Sequence, residues 1–476
     1  MDKPVRSRPN PRLGSDLGLS DIAGALRRGD FTASDLIESS IDQHVELGVG
    51  LGAYKHFDAD GAREAAAGAD TALAAGITPP LCGIPISVKD LYGVDGLPTF
   101  AGTARQLPNA WSRDAWLVAQ LRAQGAVIMG KTHTVELAYG GVGINPHWGT
   151  PRNPWDADTH RMPGGSSCGA GVSLWEGSAL VALGTDTGGS IRIPAAMTGT
   201  VGHKITYGRW PVTGVVPLSS TLDTVGALTR SVEDSLYLFG SIDPAWGDPS
   251  QFLSQMSTLG AAGLRIATPD CSIWHDCQSD ISSVLRAAIG NLKSSGWGVG
   301  EVRGHLFDEA HDLYMTGGIA GAECLAFLKR DLPEWMDLLH PTVGARLAGA
   351  PALDSELYRT SIATRGALMD QADALFETAD VLALPTSMAT PAPIAELIDL
   401  ERYGRANATA LRPTCPISML GLCAITLPVG LDDAGMPVGL QLVAPGGHDE
   451  ALLGAALAVE RVLGPASNTI GRPPGL

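Results

Sequence analysis

Lys89, Ser166 and Ser190 are the residues of this chain that could together cleave an amide without a metal or a histidine. Ser190 closes the run Gly184-Thr-Asp-Thr-Gly-Gly-Ser190, and Ser166 lies 24 positions earlier in Pro163-Gly-Gly-Ser-Ser-Cys-Gly169. Glycines let a turn adopt positive φ and let consecutive N–H groups converge on one point. Such donors stabilise the oxyanion of a tetrahedral intermediate, at ~3–4 kcal/mol each. A hydroxyl at the end of the turn attacks within their reach. Ser166 could pass a proton between that hydroxyl and a more distant base. Lys89 follows Ile84, Ile86 and Val88 at the end of an apolar alternating run. Burial there disfavours the ammonium, and a neutral amine accepts a proton from a hydroxyl. Each residue also has a plainer role: turn chemistry for the serines, and an ion pair with adjacent Asp90 for Lys89. Gly165-Ser-Ser-Cys-Gly169 matches the nucleophile elbow G-x-S-x-G with Ser167 central, but that elbow follows a strand and Arg161-Met-Pro-Gly164 is poor strand sequence. A phosphate loop would need a lysine where Ser190 stands.

The elements that must hold these residues alternate between strand and helix. Strand patterns occur at 83–88, 126–129, 264–267, 299–302, 381–384 and 424–429, and 173–183 reads as a helix leading into a strand. Helical patterns occupy 19–28, 62–75, 114–124, 281–294, 356–378 and 450–463, and Thr32 with Asp35 forms a capping box for another. This alternation predicts an α/β fold: one large domain around a mixed, mostly parallel twisted sheet, covered by helices on both faces. The expected organisation is a loose arm at 1–14 and one domain over 15–470. Within it lie a helical layer (15–76), a catalytic core (77–235), a covering region (236–420) and C-terminal core strands and helix (421–465). Residues 304–350 and 387–415 carry the least regular patterns and are expected to border the site.

Composition narrows the partners. The chain has 476 residues, a net charge of −17 and 45% hydrophobic residues, with 59 Gly and 32 Pro that imply many tight turns. Net negative charge opposes nucleic acid as a partner. No apolar run approaches the ~20 residues needed to cross a bilayer. Lys3, Arg6, Arg8 and Arg12 are followed by Ser15, Asp16, Ser20 and Asp21 rather than an apolar segment, so no secretory signal is expected. Seven widely spaced cysteines suit a reduced cytoplasm. Cys271 and Cys277 flank His275, but no second ligand pair accompanies them, and no metal is expected there.

Taken together, GIPISVKD, GAVIMGKT (125–132), RNP (152–154), GGSSCGAG, LGTDTGGSIRIPAA, LDTVGALTRSVED (222–234) and LPVGLDDAGMPVGLQLV (427–443) resemble the amidase signature hydrolases, from about residue 20 to residue 463. The resemblance implies that Ser190 is the nucleophile, Ser166 the proton relay after a cis peptide bond, and Lys89 the base. It implies an oxyanion hole from the N–H groups of Thr187, Gly188, Gly189 and Ser190, braced by Asp186 and Arg192. Tyr139, Gly140 and Gly141 match the segment edging the acyl side, and Arg209 and Trp210 are placed near the entrance. No cofactor is implied. The chain departs from the family pattern at Cys168, Val172 and His133, and in Val201-Gly-His-Lys-Ile-Thr-Tyr-Gly-Arg209. The expected activity is hydrolysis of a small or aryl amide, or a related carbamate (urethane) or ester, by a monomer or homodimer. The alternative is the glutaminase subunit of a tRNA-dependent amidotransferase. Ile193, His203 and Ile205 break that subfamily's usual pattern.

Overall fold

Short apolar runs bounded by glycine and proline become, among the described residues, eleven strands of a single sheet. They are β1 (Tyr54–Phe57), β2 (Pro85–Lys89), β3 (Val127–Thr132), β4 (Val181–Asp186), β5 (Val201–Lys204), β6 (Thr224–Thr229), β7 (Arg265–Asp270), β8 (Gly298–Arg303), β9 (Val381–Pro385), β10 (Cys423–Leu431) and β11 (Pro437–Ala444). The computed structural model describes residues 17–259, 263–397, 399–474 and 476, so the arm expected at 1–14 lies outside the described residues. The strand order is β1-β3-β2-β4-β6-β5-β10-β11-β9-β7-β8. Every residue of β2, β3, β4, β6 and β9 is buried, which is why those runs are near-continuously apolar rather than strictly alternating.

The sheet is mixed, as expected, but its balance is not mostly parallel. β2 runs parallel to β3 and β4, and β7 to β8 and β9, while the other six pairings are antiparallel. The difference arises in the middle, where β6, β5, β10 and β11 follow one another in antiparallel register. β10 and β11 form a hairpin whose turn is held by Asp432, which accepts from Ala434 N (2.9 Å) and Met436 N (2.8 Å).

Helices flank the sheet. Leu19–Arg28 is as read from its pattern, and Ala33–Leu51 opens on the expected box: Thr32 Oγ1 accepts from Asp35 N (3.0 Å), and Asp35 Oδ2 from Thr32 N (2.9 Å). Ala59–Ala74, Trp116–Ala123, Ser279–Ser294, Glu356–Met369 and Asp449–Leu463 also form. Residues 304–350 are more regular than their sequence indicates: they hold helices His305–Gly317, Ile319–Asp331 and Pro341–Ala348. Gly317 and Gly318 at the joint lower helix propensity and mask the pattern, while Gly318 turns the chain at φ 65°. Leu400–Leu411 is a helix too, with Asp399 accepting from Arg402 N (2.8 Å) as its cap. Among the described residues no helix is long and apolar enough to cross a membrane.

The sheet places the chemistry at the carboxyl ends of two neighbouring parallel strands, β2 and β4, where α/β folds commonly bind ligands. Lys89 ends β2 and Asp186 ends β4; the turn carrying Ser190 follows directly. Beside them, β3 carries a bulge: Ile86 pairs with Ile128 and Ser87 with Gly130, leaving Met129 as an extra residue. Gly130 sits at φ 145°, and a Cβ there would lie 2.2 Å from the His56 carbonyl oxygen on β1. Gly130→Ala is therefore expected to cost about 1–3 kcal/mol and to lower the apparent melting temperature. Gly247→Ala, where a Cβ meets nothing within 4 Å, should leave it unchanged in the same scan.

Candidate active site

Lys89 is wholly buried, and its Nζ donates to Ser166 Oγ at 2.7 Å and to Thr185 Oγ1 at 2.8 Å. The simpler role for this lysine, an ion pair with Asp90, is not the one adopted. Asp90 pairs with Lys131 Nζ at 3.0 Å and accepts from Phe100 N. With two hydroxyls and no carboxylate at bonding distance, burial dominates and depresses the Lys89 amine to about 7, against the weaker opposing fields of Cys168, Asp186 and Asp223. Much of it is thus neutral near physiological pH.

Ser166 follows a cis peptide bond from Gly165. Its carbonyl accepts from Val135 N and Thr134 Oγ1, both at 3.1 Å, and Gly165 N donates to the Gly141 carbonyl at 2.8 Å. A side chain at Gly165 would strike Gly143 N at 2.7 Å, so this crossing of two backbones needs glycine. Ser167 joins the two serine turns: its Oγ donates to the Ser190 carbonyl at 2.6 Å. The Ser190 hydroxyl itself bonds to no protein group among the described residues, so Lys89 and Ser166 are hydrogen-bonded while Ser166 and Ser190 are not.

The Ser190 turn is wound around Asp186. Its carboxylate accepts from Gly189 N (2.8 Å) and Ile191 N (3.1 Å), and from Arg192 Nη2 (2.8 Å) and Nε (3.0 Å). Burial alone would raise this carboxyl, but Arg192 and Lys204 outweigh it and hold it below the usual range. Arg192 reaches on to the Thr414 carbonyl (3.0 Å) and Gln441 Oε1 (2.6 Å). Gly189 is a correction to the four-donor oxyanion hole: its N–H is spent on Asp186. Those of Thr187, Gly188 and Ser190 have no protein acceptor among the described residues. Thr187 is tied further by its hydroxyl, which donates to Asp223 Oδ1 at 2.5 Å. Burial lifts the Asp223 carboxyl to about 6 despite that bond.

Ser190, Thr187 and Gly188 open onto a cavity of about 320 Å³. Tyr139 and Gly140 line it as expected. Gly141 does not; its N–H donates to Asn407 Oδ1 at 2.7 Å, and a Cβ there would meet Ile193 and Leu411, each at 3.3 Å. Arg209 and Trp210 are also corrected. Arg209 is locked by Asp243 (2.7 Å), Glu450 (2.5 Å) and Asp449 (3.4 Å), Trp210 Nε1 donates to Asp243 at 2.7 Å, and neither lines the cavity. Thr185 and Asp223 lie inside motifs already quoted, so their positions were open to a sequence reading that asked what contacts Lys89 and Thr187. Tyr314, Arg346 and Asn407, which complete the far wall, come from helices with no motif to mark them. Among the described residues no group of three His, Cys, Asp or Glu is placed to hold a metal ion.

Known proteins match this chain over nearly its full length. The Amidase family model matches residues 35–453. The 2-amino-5-chloromuconic acid deaminase of Comamonas testosteroni is 45% identical over 458 residues, spanning 96% of this chain and 98% of its own. A glutamyl-tRNA(Gln) amidotransferase subunit from Roseiflexus sp. (strain RS-1) is 33% identical over 480 residues, spanning 94% and 96%. Among solved structures, an amidase superposes with a TM-score of 0.83 at 31% identity, covering 94% of this chain and 100% of its own. The native peptide amidase of Stenotrophomonas maltophilia gives 0.81 at 25% identity, covering 98% and 99%. The chain therefore belongs to the amidase family and is a hydrolase of carbon–nitrogen bonds.

Proposed function

We propose that the protein hydrolyses the carbon–nitrogen bond of a small molecule through a seryl acyl-enzyme, with Ser190 as nucleophile, Ser166 as relay and Lys89 as base. The observation that carries this is the 2.7 Å contact between a buried lysine, depressed to about 7, and Ser166. Ser190 turns its hydroxyl toward Ser166 when substrate fills the cavity; catalytic hydrogen bonds are often open in unliganded enzymes. Lys89 takes the Ser166 proton as Ser166 takes that of Ser190, and Ser190 Oγ attacks the carbonyl carbon. The N–H groups of Thr187, Gly188 and Ser190 meet the charge that develops on oxygen. The proton returns through Ser166 to the departing nitrogen as the carbon–nitrogen bond breaks. Water then gives a proton to the same amine and attacks the ester, and that proton passes through Ser166 back to Ser190 Oγ as the acid leaves.

The substrate range proposed is small or aryl amides, with carbamates (urethanes) and esters as related acyl donors. The Comamonas testosteroni relative, a deaminase, supports a small molecule whose nitrogen leaves as ammonia. Glutaminase activity in an amidotransferase is the second reading, supported by a relative at lower identity, 33% against 45%.

Product release by the purified single chain, measured on aliphatic amides, anilides, aryl carbamates and glutamine, decides between these. Turnover of glutamine alone would favour the amidotransferase role. Ser190→Ala should lower turnover by at least about a thousandfold with an unchanged circular dichroism spectrum. Activity near wild type would remove Ser190 from its role.

The pH dependence follows from Lys89. Its folded pKa is depressed, so the base is present above about 7 and lost below it. With chemistry limiting, kcat/KM should fall about tenfold per pH unit on the acid side of that value and level off above it. Lys89→Ala should remove the limb together with most activity. A profile flat from pH 5 to 9 in the wild-type enzyme would exclude an amine base.

A further inference from the structure

Asp223 and Thr224, at the start of β6, hold the peptide plane that carries the Thr187 N–H. Thr224 pairs with Asp186 in the antiparallel register of β4 and β6, and its hydroxyl donates to the Asp186 carbonyl at 2.7 Å. In a planar trans peptide the N–H of Thr187 points away from that carbonyl, so a grip on one end restricts the other. The plane could still swing about the line joining its two Cα atoms. Both ends oppose this: Asp186 is locked to Arg192, and the Thr187 hydroxyl donates to Asp223 Oδ1 at 2.5 Å. A hydrogen bond to an ionised acceptor is roughly twice as strong as a neutral one. The next plane, with Gly188 N–H, has no protein donor on its carbonyl among the described residues. Thr187 lines the cavity of Ser190, and its own N–H has no protein acceptor among the described residues.

Asp223 is anchored in turn. Its Oδ2 accepts from Leu218 N and Ser219 N, both at 2.9 Å, and its N–H donates to the Ser219 carbonyl at 2.9 Å, which closes 218–223 into a tight loop. Leu218 lines the same cavity. A second carboxylate grips this loop from the covering helices. Glu323, on the helix Ile319–Asp331, is buried and accepts from the hydroxyls of Ser219 and Thr221, from Thr221 N at 3.1 Å and from the Tyr358 hydroxyl at 2.7 Å. Leu357, next to Tyr358, borders the cavity. A hydrogen-bonded path thus runs from the helix bearing Leu357 to Thr187. Neither carboxylate forms an ion pair among the described residues; hydroxyl and N–H donors alone satisfy them.

We propose that Asp223 is a positioning residue for the reaction: through the Thr187 hydroxyl it fixes the direction of the Thr187 N–H, and Glu323 keeps it in place. The role rests on the reading of Ser190 as nucleophile and of Thr187 N–H as an oxyanion donor. A donor aimed at developing charge acts on the transition state more than on bound substrate, so its loss appears in kcat.

The test is steady-state kinetics on the amide or anilide that wild type turns over fastest, with chemistry limiting. Asp223→Asn keeps the shape of the side chain. The N–H groups of Leu218 and Ser219 claim its single carbonyl oxygen and turn its NH2 toward Thr187, so the hydroxyl loses its acceptor. Its kcat should fall by about 10- to 100-fold with KM within about threefold of wild type. Thr187→Val, isosteric but without the hydroxyl, should show the same split, and Thr187→Ser should keep kcat within about threefold. The Asp223→Asn/Thr187→Val double variant should be no more than about twofold below the weaker single, because both remove one interaction. Glu323→Gln should lose kcat in the same direction by a smaller factor. Phenylboronic acid gives a second readout: Ser190 Oγ bonds to boron, its proton passes through Ser166 to Lys89, and the adduct is tetrahedral. It should bind Asp223→Asn and Thr187→Val at least about 10-fold more weakly than wild type. The Thr187 variants leave the 218–223 loop intact, so the test stands even where Asp223→Asn does not fold. A kcat within threefold of wild type in Thr187→Val, a loss carried by KM, a Thr187→Ser as impaired as Thr187→Val, or undiminished boronate affinity would each overturn the role. Wild-type kcat in Asp223→Asn beside an inactive Ser190→Ala overturns the positioning role and leaves the nucleophile standing; turnover by Ser190→Ala removes the nucleophile instead.

Discussion

The buried pair of Asp186 and Arg192 is the interaction on which the site depends. Both side chains are fully removed from solvent, so neither charge is tolerable without the other. Their mutual satisfaction fixes much more than two residues. Asp186 gathers the N–H groups of Gly189 and Ile191, which bends the Ser190 turn back onto the end of β4. Arg192 extends to the Thr414 carbonyl and Gln441 on β11. A single ion pair thereby ties the Ser190 turn to a strand of the central hairpin more than two hundred residues away in sequence. Asp186 takes up the Gly189 N–H, and the N–H groups of Thr187, Gly188 and Ser190 are left without a protein acceptor among the described residues.

The surrounding charges are sorted so that each buried lysine meets a different environment. Lys131 finds the Asp90 carboxylate, Lys204 finds the backbone carbonyls of Leu422 and Ile205, and Lys89 finds only hydroxyls. Carbonyl oxygens leave Lys204 depressed to about 8 by burial and by the neighbouring Arg192. Burial depresses Lys89 to about 7. Environment rather than residue type makes one of three lysines suited to proton transfer.

Much of this is legible in the sequence because local patterns carry it. The motifs around Lys89, Ser166 and Ser190 are contiguous, and β2, β3 and β9 are rich in aliphatic residues, so their existence and approximate ends can be read directly. β5, β6 and β11 cannot, since Gly202, Gly226 and Gly439 interrupt them and polar Lys204, Thr224 and Gln441 find partners distant in sequence: Leu422, Asp186, and Pro413 with Arg192. Arg209 reads as an entrance residue because its motif is near the site in sequence; its true neighbours, Asp243, Asp449 and Glu450, are brought in by tertiary packing.

The bulge at Met129 has a consequence for the lysines. In the register set by Ile86 and Ile128, an uninterrupted ladder would put Lys131 directly opposite Lys89 on the same face. Two ammonium groups would then share one dry neighbourhood, each suppressing the other's proton affinity. The inserted residue moves Thr132 into that position and sends Lys131 through to the opposite face, toward Asp90. One extra amino acid in an edge-proximal strand thus acts as a charge insulator: it keeps a second ammonium away from the Lys89 amine, whose basicity is set chiefly by burial.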